Sequence, residues 1–201
     1  MVNLKFFKKT LIYFLIFIIV PIIGTLLHEC GHWIAGKLLG CEPIIRYAFC
    51  SSNCGFPLSD KQYFIFILGG PLATWIQSLI PLSIIIIYYR KQHPEKLEEK
   101  LPPLFVLLLG FVTFSGRFVF NAGGYIFTES TSSDEYKMEI YLGLPHGALI
   151  FGFAIIGLAV LLYSLFIIAK KNRSSIFIGA IGGAVLGYLL WYYYLGPLLI
   201  P

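Results

Sequence analysis

Residues 11–39 read LIYFLIFIIVPIIGTLLHECGHWIAGKLL, and this stretch decides the fold. Its first part, residues 11–27, carries no charged side chain. A helix that crosses the hydrocarbon core of a bilayer needs about 20 predominantly apolar residues. The stretch is longer than that, so it predicts a membrane helix that tilts, or that kinks at Pro21.

The rest of the chain has the same character. Of the 201 residues, 58% are hydrophobic and 12% are charged, whereas a soluble domain carries about 25% charged residues. The sequence therefore predicts an all-α polytopic membrane protein forming one unit over 1–201, in direct contact with lipid. About five transmembrane helices are expected, at 11–39, 63–89, 104–127, 147–169 and 176–200. In the last segment, Gly179, Gly183 and Gly187 recur at four-residue spacing and predict a close-packing face.

The distribution of basic residues predicts the orientation of the chain across the membrane. Ten of the fifteen Lys and Arg residues flank the start of the first segment and the connections 90–103 and 170–175, and four lie in or beside the other connections. Such clusters next to apolar segments are topology signals, so the net charge of +5 does not indicate nucleic acid binding. The N-terminus is expected in the cytoplasm, with residues 40–62 and 128–146 outside, in a bacterial or archaeal cell membrane.

The first segment contains His28-Glu29-Cys30-Gly31-His32. Two histidines at i and i+4 project from one helical face and can bind one metal ion. Glu29 lies on the adjoining face, where it is placed to act as a general base without being a ligand. Zinc in such a site provides a nucleophile at neutral pH and a Lewis acid for a peptide carbonyl. The alternative is a polar face that lines a hydrated or helix-packing cavity.

Two motifs resemble those of the site-2 proteases, the intramembrane zinc metalloproteases. The first is His28–His32, and the second is residues 69–74, which read GGPLAT and are similar to that family's Gly-Pro-Leu-Ala-Asn stretch with Thr74 in place of Asn. The resemblance implies one Zn²⁺ ion and cleavage of peptide bonds in membrane-embedded or membrane-adjacent substrates. It also implies that Gly70, Pro71 and Thr74 bind the substrate strand.

A third zinc ligand is less evident. In site-2 proteases it is an Asp, commonly within Asn-Pro-Asp-Gly, and that motif is absent here. Asp134 is the preferred candidate, followed by Glu135 and more distantly His146. Residues 141–145, YLGLP, resemble the segment after the acidic ligand in small bacterial relatives. The alternative is that Ser132 and Glu135 form a capping box at a helix start. His93 is expected in a charged cytoplasmic loop.

Other polar residues lie in or beside the apolar segments. Arg117 and Asn121 are spaced i and i+4, so they share a helix face and are candidates for orienting Glu29 or binding the substrate carbonyl. The alternatives for Arg117 are a structural ion pair or a place in the lining of a hydrated cavity. Of the four cysteines, those at 41, 50 and 54 lie in one outer connection where a disulfide can form, with one thiol left over.

The leading hypothesis is a zinc-dependent intramembrane endopeptidase of the His-Glu-x-x-His type, with metal ligands His28, His32 and Asp134 and with Glu29 as the base. A metal transporter is the second hypothesis, and an inactive site-2-protease-like binder of membrane segments is the third. The intact Glu29 argues against the third. The sequence does not identify the substrate or any regulatory membrane partner.

Overall fold

The computed structural model describes residues 4–91, 103–129, 131–168 and 173–201. It confirms an essentially all-α fold with five helical segments long and apolar enough to cross a membrane. The helices are α1 (Leu4–Leu38), α2 (Asp60–Lys91), α3 (Pro103–Thr113), α4 (Gly116–Thr128), α5 (Asp134–Leu142), α6 (Ala148–Tyr163), α7 (Arg173–Leu190) and α8 (Gly196–Leu199). The strands β1 (Ile44–Ile45) and β2 (Cys50–Ser51) form a short antiparallel hairpin.

The observed helices differ from the predicted segments in their bounds and in their breaks. α1 is continuous through Pro21. The third segment is two helices, because the chain breaks at residues 114–115. The Ser115 hydroxyl donates to the carbonyl oxygens of Val112 (2.9 Å) and Gly157 (3.3 Å), which ties the break to α6. π-helical turns at Ser164–Ile168 and Trp191–Leu195 extend α6 and α7.

Helix α1 lies at the centre and packs lengthwise against α7 and α2. The predicted small-residue face of α7 is confirmed. A Cβ added to Gly179, Gly183 or Gly187 would run into backbone oxygens of α1, at Thr10, Phe14 and Ile18 respectively. Close backbone approach through glycine is a recurrent way to pack membrane helices, since lipid supplies no hydrophobic force between them.

The crossing of α1 and α2 also depends on glycine. A Cβ on Gly31 would overlap the carbonyl of Gly69, and a Cβ on Gly69 would overlap the carbonyl of Gly31. Gly31 lies between the two motif histidines, so the close crossing brings α2 directly against their side chains. The sequence motif thus contains a packing residue as well as chemical ones.

The connection between α1 and α2 folds back over the end of the bundle. Its hairpin pairs Ile44 with Ser51 and Ile45 with Cys50. A disulfide between Cys41 and Cys54 closes it, and the Trp191 indole N–H donates to the carbonyl of Tyr47 at 2.8 Å. The hairpin is therefore held both to the end of α1 and to α7.

Glu139, a fully buried residue of α5, connects α5 to α6. Its carboxylate accepts the backbone N–H groups of Gly147 (2.7 Å), Leu149 (2.8 Å) and Ile150 (3.1 Å). These N–H groups lie at the start of α6, where a helix has no internal acceptors and where its dipole favours a negative charge. Glu139 thus fixes the position of α5, the helix that begins at Asp134.

We expect Glu139→Ala to lower the free energy of unfolding by about 3 kcal/mol or more, because it leaves buried N–H groups unsatisfied at about 1–3 kcal/mol each. Thermal unfolding in detergent would then shift downward by roughly 6–12 °C. Glu42→Ala is the matched control, since the Glu42 side chain is 79% exposed, and should stay within about 0.5 kcal/mol. An unchanged midpoint for Glu139→Ala would show that the carboxylate does not hold α6.

Candidate metal centre

His28 is held from behind by α2. It is 2% exposed, and its Nδ1 lies 2.8 Å from the Thr74 hydroxyl. That hydroxyl donates its own hydrogen to the carbonyl of Gly70 at 3.2 Å. Thr74 therefore accepts from His28, which places the ring hydrogen on Nδ1 and leaves the Nε2 lone pair free.

His32 is oriented in the same sense. Its Nδ1 lies 2.8 Å from the backbone carbonyl of Phe66, and a carbonyl can only accept. The ring hydrogen is again on Nδ1, and Nε2 carries a free lone pair. A hydrogen bond from the rear nitrogen to a protein acceptor is the usual way in which a metal-binding imidazole is fixed.

Asp134 completes the group from α5. Its Oδ2 lies 3.0 Å from Nε2 of His28 and 3.3 Å from Nε2 of His32, and the two nitrogens are 3.2 Å apart. Burial on its own raises the pKa of Asp134, but the two imidazoles outweigh burial and hold that pKa below its usual range. The side chain is therefore a carboxylate, and three electron-pair donors converge on one point.

This donor set fits a divalent metal ion. Donors around a tetrahedral ion at about 2.0–2.1 Å are roughly 3.3 Å apart, close to the observed 3.0–3.3 Å. Without a cation, three converging lone pairs repel one another. Two imidazoles and one carboxylate also match the three-ligand sets of catalytic zinc sites, which leave a fourth position for solvent or substrate.

Glu29 is next to this centre but is not part of it. It is 4% exposed and lines the same cavity as the histidines, while the group of ligand atoms contains only His28, His32 and Asp134 among the described residues. Cys50 of the hairpin lines this cavity as well. The hairpin therefore forms part of the cavity wall beside Glu29.

The centre opens into a cavity of about 650 Å³ between α1, α2, α4, the hairpin and the start of α5. That volume lies within the range of small-molecule and peptide-side-chain sites. Arg117 and Asn121 both line it, as expected from their shared helix face. Pro71 and Thr74, by contrast, are buried and do not line it among the residues described.

The second motif lies against the histidines. A Cβ on Gly70 would overlap the Nε2 atoms of both His28 and His32, so this position has space for glycine only. Thr74 bonds His28 from behind, as described. In this structure residues 69–74 support the candidate ligands His28 and His32, and the expected contact of Gly70, Pro71 and Thr74 with substrate stays a prediction.

The remaining acid and histidine candidates lie elsewhere. One oxygen of Glu135 accepts from the Asn121 amide at 3.4 Å, and burial together with the charge of Asp134 raises the pKa of Glu135. His146 stacks on Tyr136. His93 lies outside the described residues.

The alternative interpretation, a capping box formed by Ser132 and Glu135, is wrong. The N-cap of α5 is Ser133, whose hydroxyl accepts from the backbone N–H of Tyr136 at 3.2 Å. Because the cap lies one residue later than expected, Asp134 is the first residue of the helix. Its side chain is not used for capping and faces the imidazoles.

The structure shows which of the three cysteines in the connection between α1 and α2 form the disulfide. Cys41 pairs with Cys54, and Cys50 is the free thiol of the connection. Burial, followed by the nearby Glu29 and Cys30, raises the pKa of Cys50 to about 12. Cys50 is therefore a neutral thiol, unsuited to act as a thiolate ligand or nucleophile.

Two contributors to the centre had no signal in the sequence, namely the carbonyl of Phe66 and the carboxylate of Glu139. The first is a backbone group, which every residue has. The second binds the start of α6, whose position depends on how the preceding loop folds. Comparison with family models, curated proteins and solved structures gives no match.

Proposed function

We propose that this chain is a zinc-dependent membrane endopeptidase that cleaves apolar, membrane-embedded or membrane-adjacent peptides. The observation that supports this most strongly is the convergence of His28 Nε2, His32 Nε2 and Asp134 Oδ2 within 3.0–3.3 Å, with both imidazoles fixed from behind. The buried acid Glu29 lies beside them.

In this proposal, His28, His32 and Asp134 hold the ion. Zinc, when bound, polarises the scissile carbonyl and makes water nucleophilic at neutral pH. Glu29 accepts the proton of the attacking water as the new C–O bond forms, and then donates it to the amide nitrogen, so that the peptide C–N bond breaks and the amine leaves.

The surroundings also suit a peptide in extended form. The cavity is lined by residues of α4 and of the hairpin, among others. A helical substrate segment has its carbonyls engaged in internal hydrogen bonds, so it must unwind before attack. The polar lining of the cavity, which includes Asn121, Ser51 and Ser52, offers partners for the backbone groups that unwinding exposes.

A metal transporter requires successive ligand sets along a route. The described residues contain one group of three side chains able to share an ion, and this group lies near one end of the bundle. This observation favours a fixed catalytic ion over a translocated one.

We expect purified protein in lipid vesicles to cleave a fluorogenic apolar peptide, to lose that activity after chelation and to regain it on addition of Zn²⁺. His146→Ala is the matched control and should behave as wild type, because His146 stacks on Tyr136 away from the ligand atoms. Cleavage that persists in metal-free protein would contradict the proposal. Zinc entering the vesicles without any cleavage would favour the transporter instead.

A further inference from the structure

Arg117 lies where two cavities meet. It lines the cavity of the metal centre and also a second cavity of about 380 Å³, and Phe120 lines both as well. The second cavity, here called the apolar groove, lies between α1, the α3–α4 break, α6 and α7. Its lining includes Phe17, Val20, Phe114, Leu161, Val185 and Tyr188.

The guanidinium of Arg117 makes no hydrogen bond or ion pair with the described residues. Its Nη1 atom is buried without a hydrogen bond, and no carboxylate oxygen of the described residues lies within ion-pair distance of it. Asp134 faces the imidazoles, and Glu135 accepts from Asn121. The charges of Glu29 and Glu135 reach Arg117 only from beyond ion-pair distance.

An unpaired cation is costly in this position. α4 belongs to a membrane-spanning segment, and charged side chains at such depth are retained where they face a cavity and bind a charged group. A neutral carbonyl offers the guanidinium one acceptor oxygen. A carboxylate fits better, because its two oxygens match the guanidinium fork and add a charge-assisted contact that no described carboxylate makes.

We propose that Arg117 determines substrate specificity by binding a carboxylate of the peptide whose apolar residues fill the groove. This inference rests on the proposed peptidase function and names the substrate class: apolar peptides with a carboxylate beside the scissile region. The carboxylate comes either from the peptide's C-terminus or from an Asp or Glu side chain. A peptide is favoured over a lipid headgroup because Arg117 also lines the cavity that contains Glu29, where a headgroup would occupy substrate space.

The test measures binding rather than cleavage. Zinc-loaded Glu29→Gln protein in vesicles of a zwitterionic lipid is titrated with labelled apolar peptides in matched pairs. One pair has a free or an amidated C-terminus, and the other has Glu or Gln at an internal position. The charged member of at least one pair should bind roughly 10- to 100-fold more tightly, as expected for a charge-assisted hydrogen bond, and the pair that shows this preference identifies the source.

Variants of Arg117 refine the result. Arg117→Gln should abolish the preference, whereas Arg117→Lys, which keeps the charge but loses the fork, should retain part of it. Arg173→Gln is the matched control, because Arg173 lies at the start of α7 over the ring of Phe166, and should leave the preference intact. Zinc content of each variant reports whether the centre has formed.

Two outcomes would overturn the inference. One is equal binding of charged and neutral peptides by protein with Arg117 intact, a comparison that holds even if Arg117→Gln fails to fold. The other is loss of the preference when an anionic lipid is added to the vesicles, which would assign the guanidinium to a headgroup. Neither outcome would contradict the proposed peptidase function. That function is tested separately, by measuring cleavage before and after chelation in protein with Glu29 intact.

Discussion

Glu29→Gln is expected to lower the rate of peptide cleavage by about 10²–10⁴-fold, the usual contribution of a positioned general base. Glutamine keeps the size and the hydrogen-bonding capacity of the side chain but cannot take up a proton from water. Because Glu29 is not among the three converging ligand atoms, the zinc content should equal that of wild type. The measurement is single-turnover cleavage together with metal analysis of the same sample.

The control for this experiment is Glu42→Gln, which removes an exposed carboxylate just beyond the end of α1 and should cleave at the wild-type rate. A Glu29→Gln protein that cuts at full rate would rule out Glu29 as the base. A variant that loses both cleavage and zinc would assign Glu29 to the metal instead. Peptide binding to Glu29→Gln protein should persist, since the cavity is otherwise unchanged.

The second large effect is expected in metal affinity. Replacing His28, His32 or Asp134 by alanine should weaken zinc binding by about two to three orders of magnitude, because the 10–16 kcal/mol of a four-ligand zinc site is shared among its ligands. Competition with a chelator of known affinity measures this change directly. Cleavage should fall with zinc occupancy in all three variants.

Glu135→Gln is the matched control for Asp134→Ala, because Glu135 is the adjacent acid and keeps its contact with Asn121 as an amide. We expect zinc affinity close to wild type in this variant. If Asp134→Ala retained zinc while Glu135→Gln lost it, the third ligand would be Glu135, and α5 would have to rotate by roughly one residue, about 100°. The pair of variants therefore distinguishes the two acids.

The candidate metal centre combines residues from three helices and the hairpin. α1 carries the two candidate ligands His28 and His32 and the proposed base, α2 fixes both imidazoles through Thr74 and Phe66, and α5 brings Asp134. The disulfide-closed hairpin adds Cys50 to the wall of the same cavity. Each contribution comes from a rigid helix or from a tethered strand, which suits a site that must hold its ligands to a few tenths of an ångström.

Some of this was determined by the sequence alone. Long uncharged segments have to be helical in lipid, where every backbone group needs an internal partner, and all five predicted segments are confirmed as helical. The pairing of His28 with His32 follows from the same cause, since residues one turn apart on a helix always share a face. The packing role of Gly179, Gly183 and Gly187 follows from their spacing.

The tertiary structure decided the rest, because the remaining contacts join residues far apart in the chain. Asp134 meets His28 across 106 positions, and its choice over Glu135 depends on a helix that starts after Ser133 instead of Ser132. The tautomers of both histidines, the Cys41–Cys54 pairing and the unpaired guanidinium of Arg117 depend on which helices pack together. Local spacing carries no information about such contacts, since they exist only once the separate helices have been brought together.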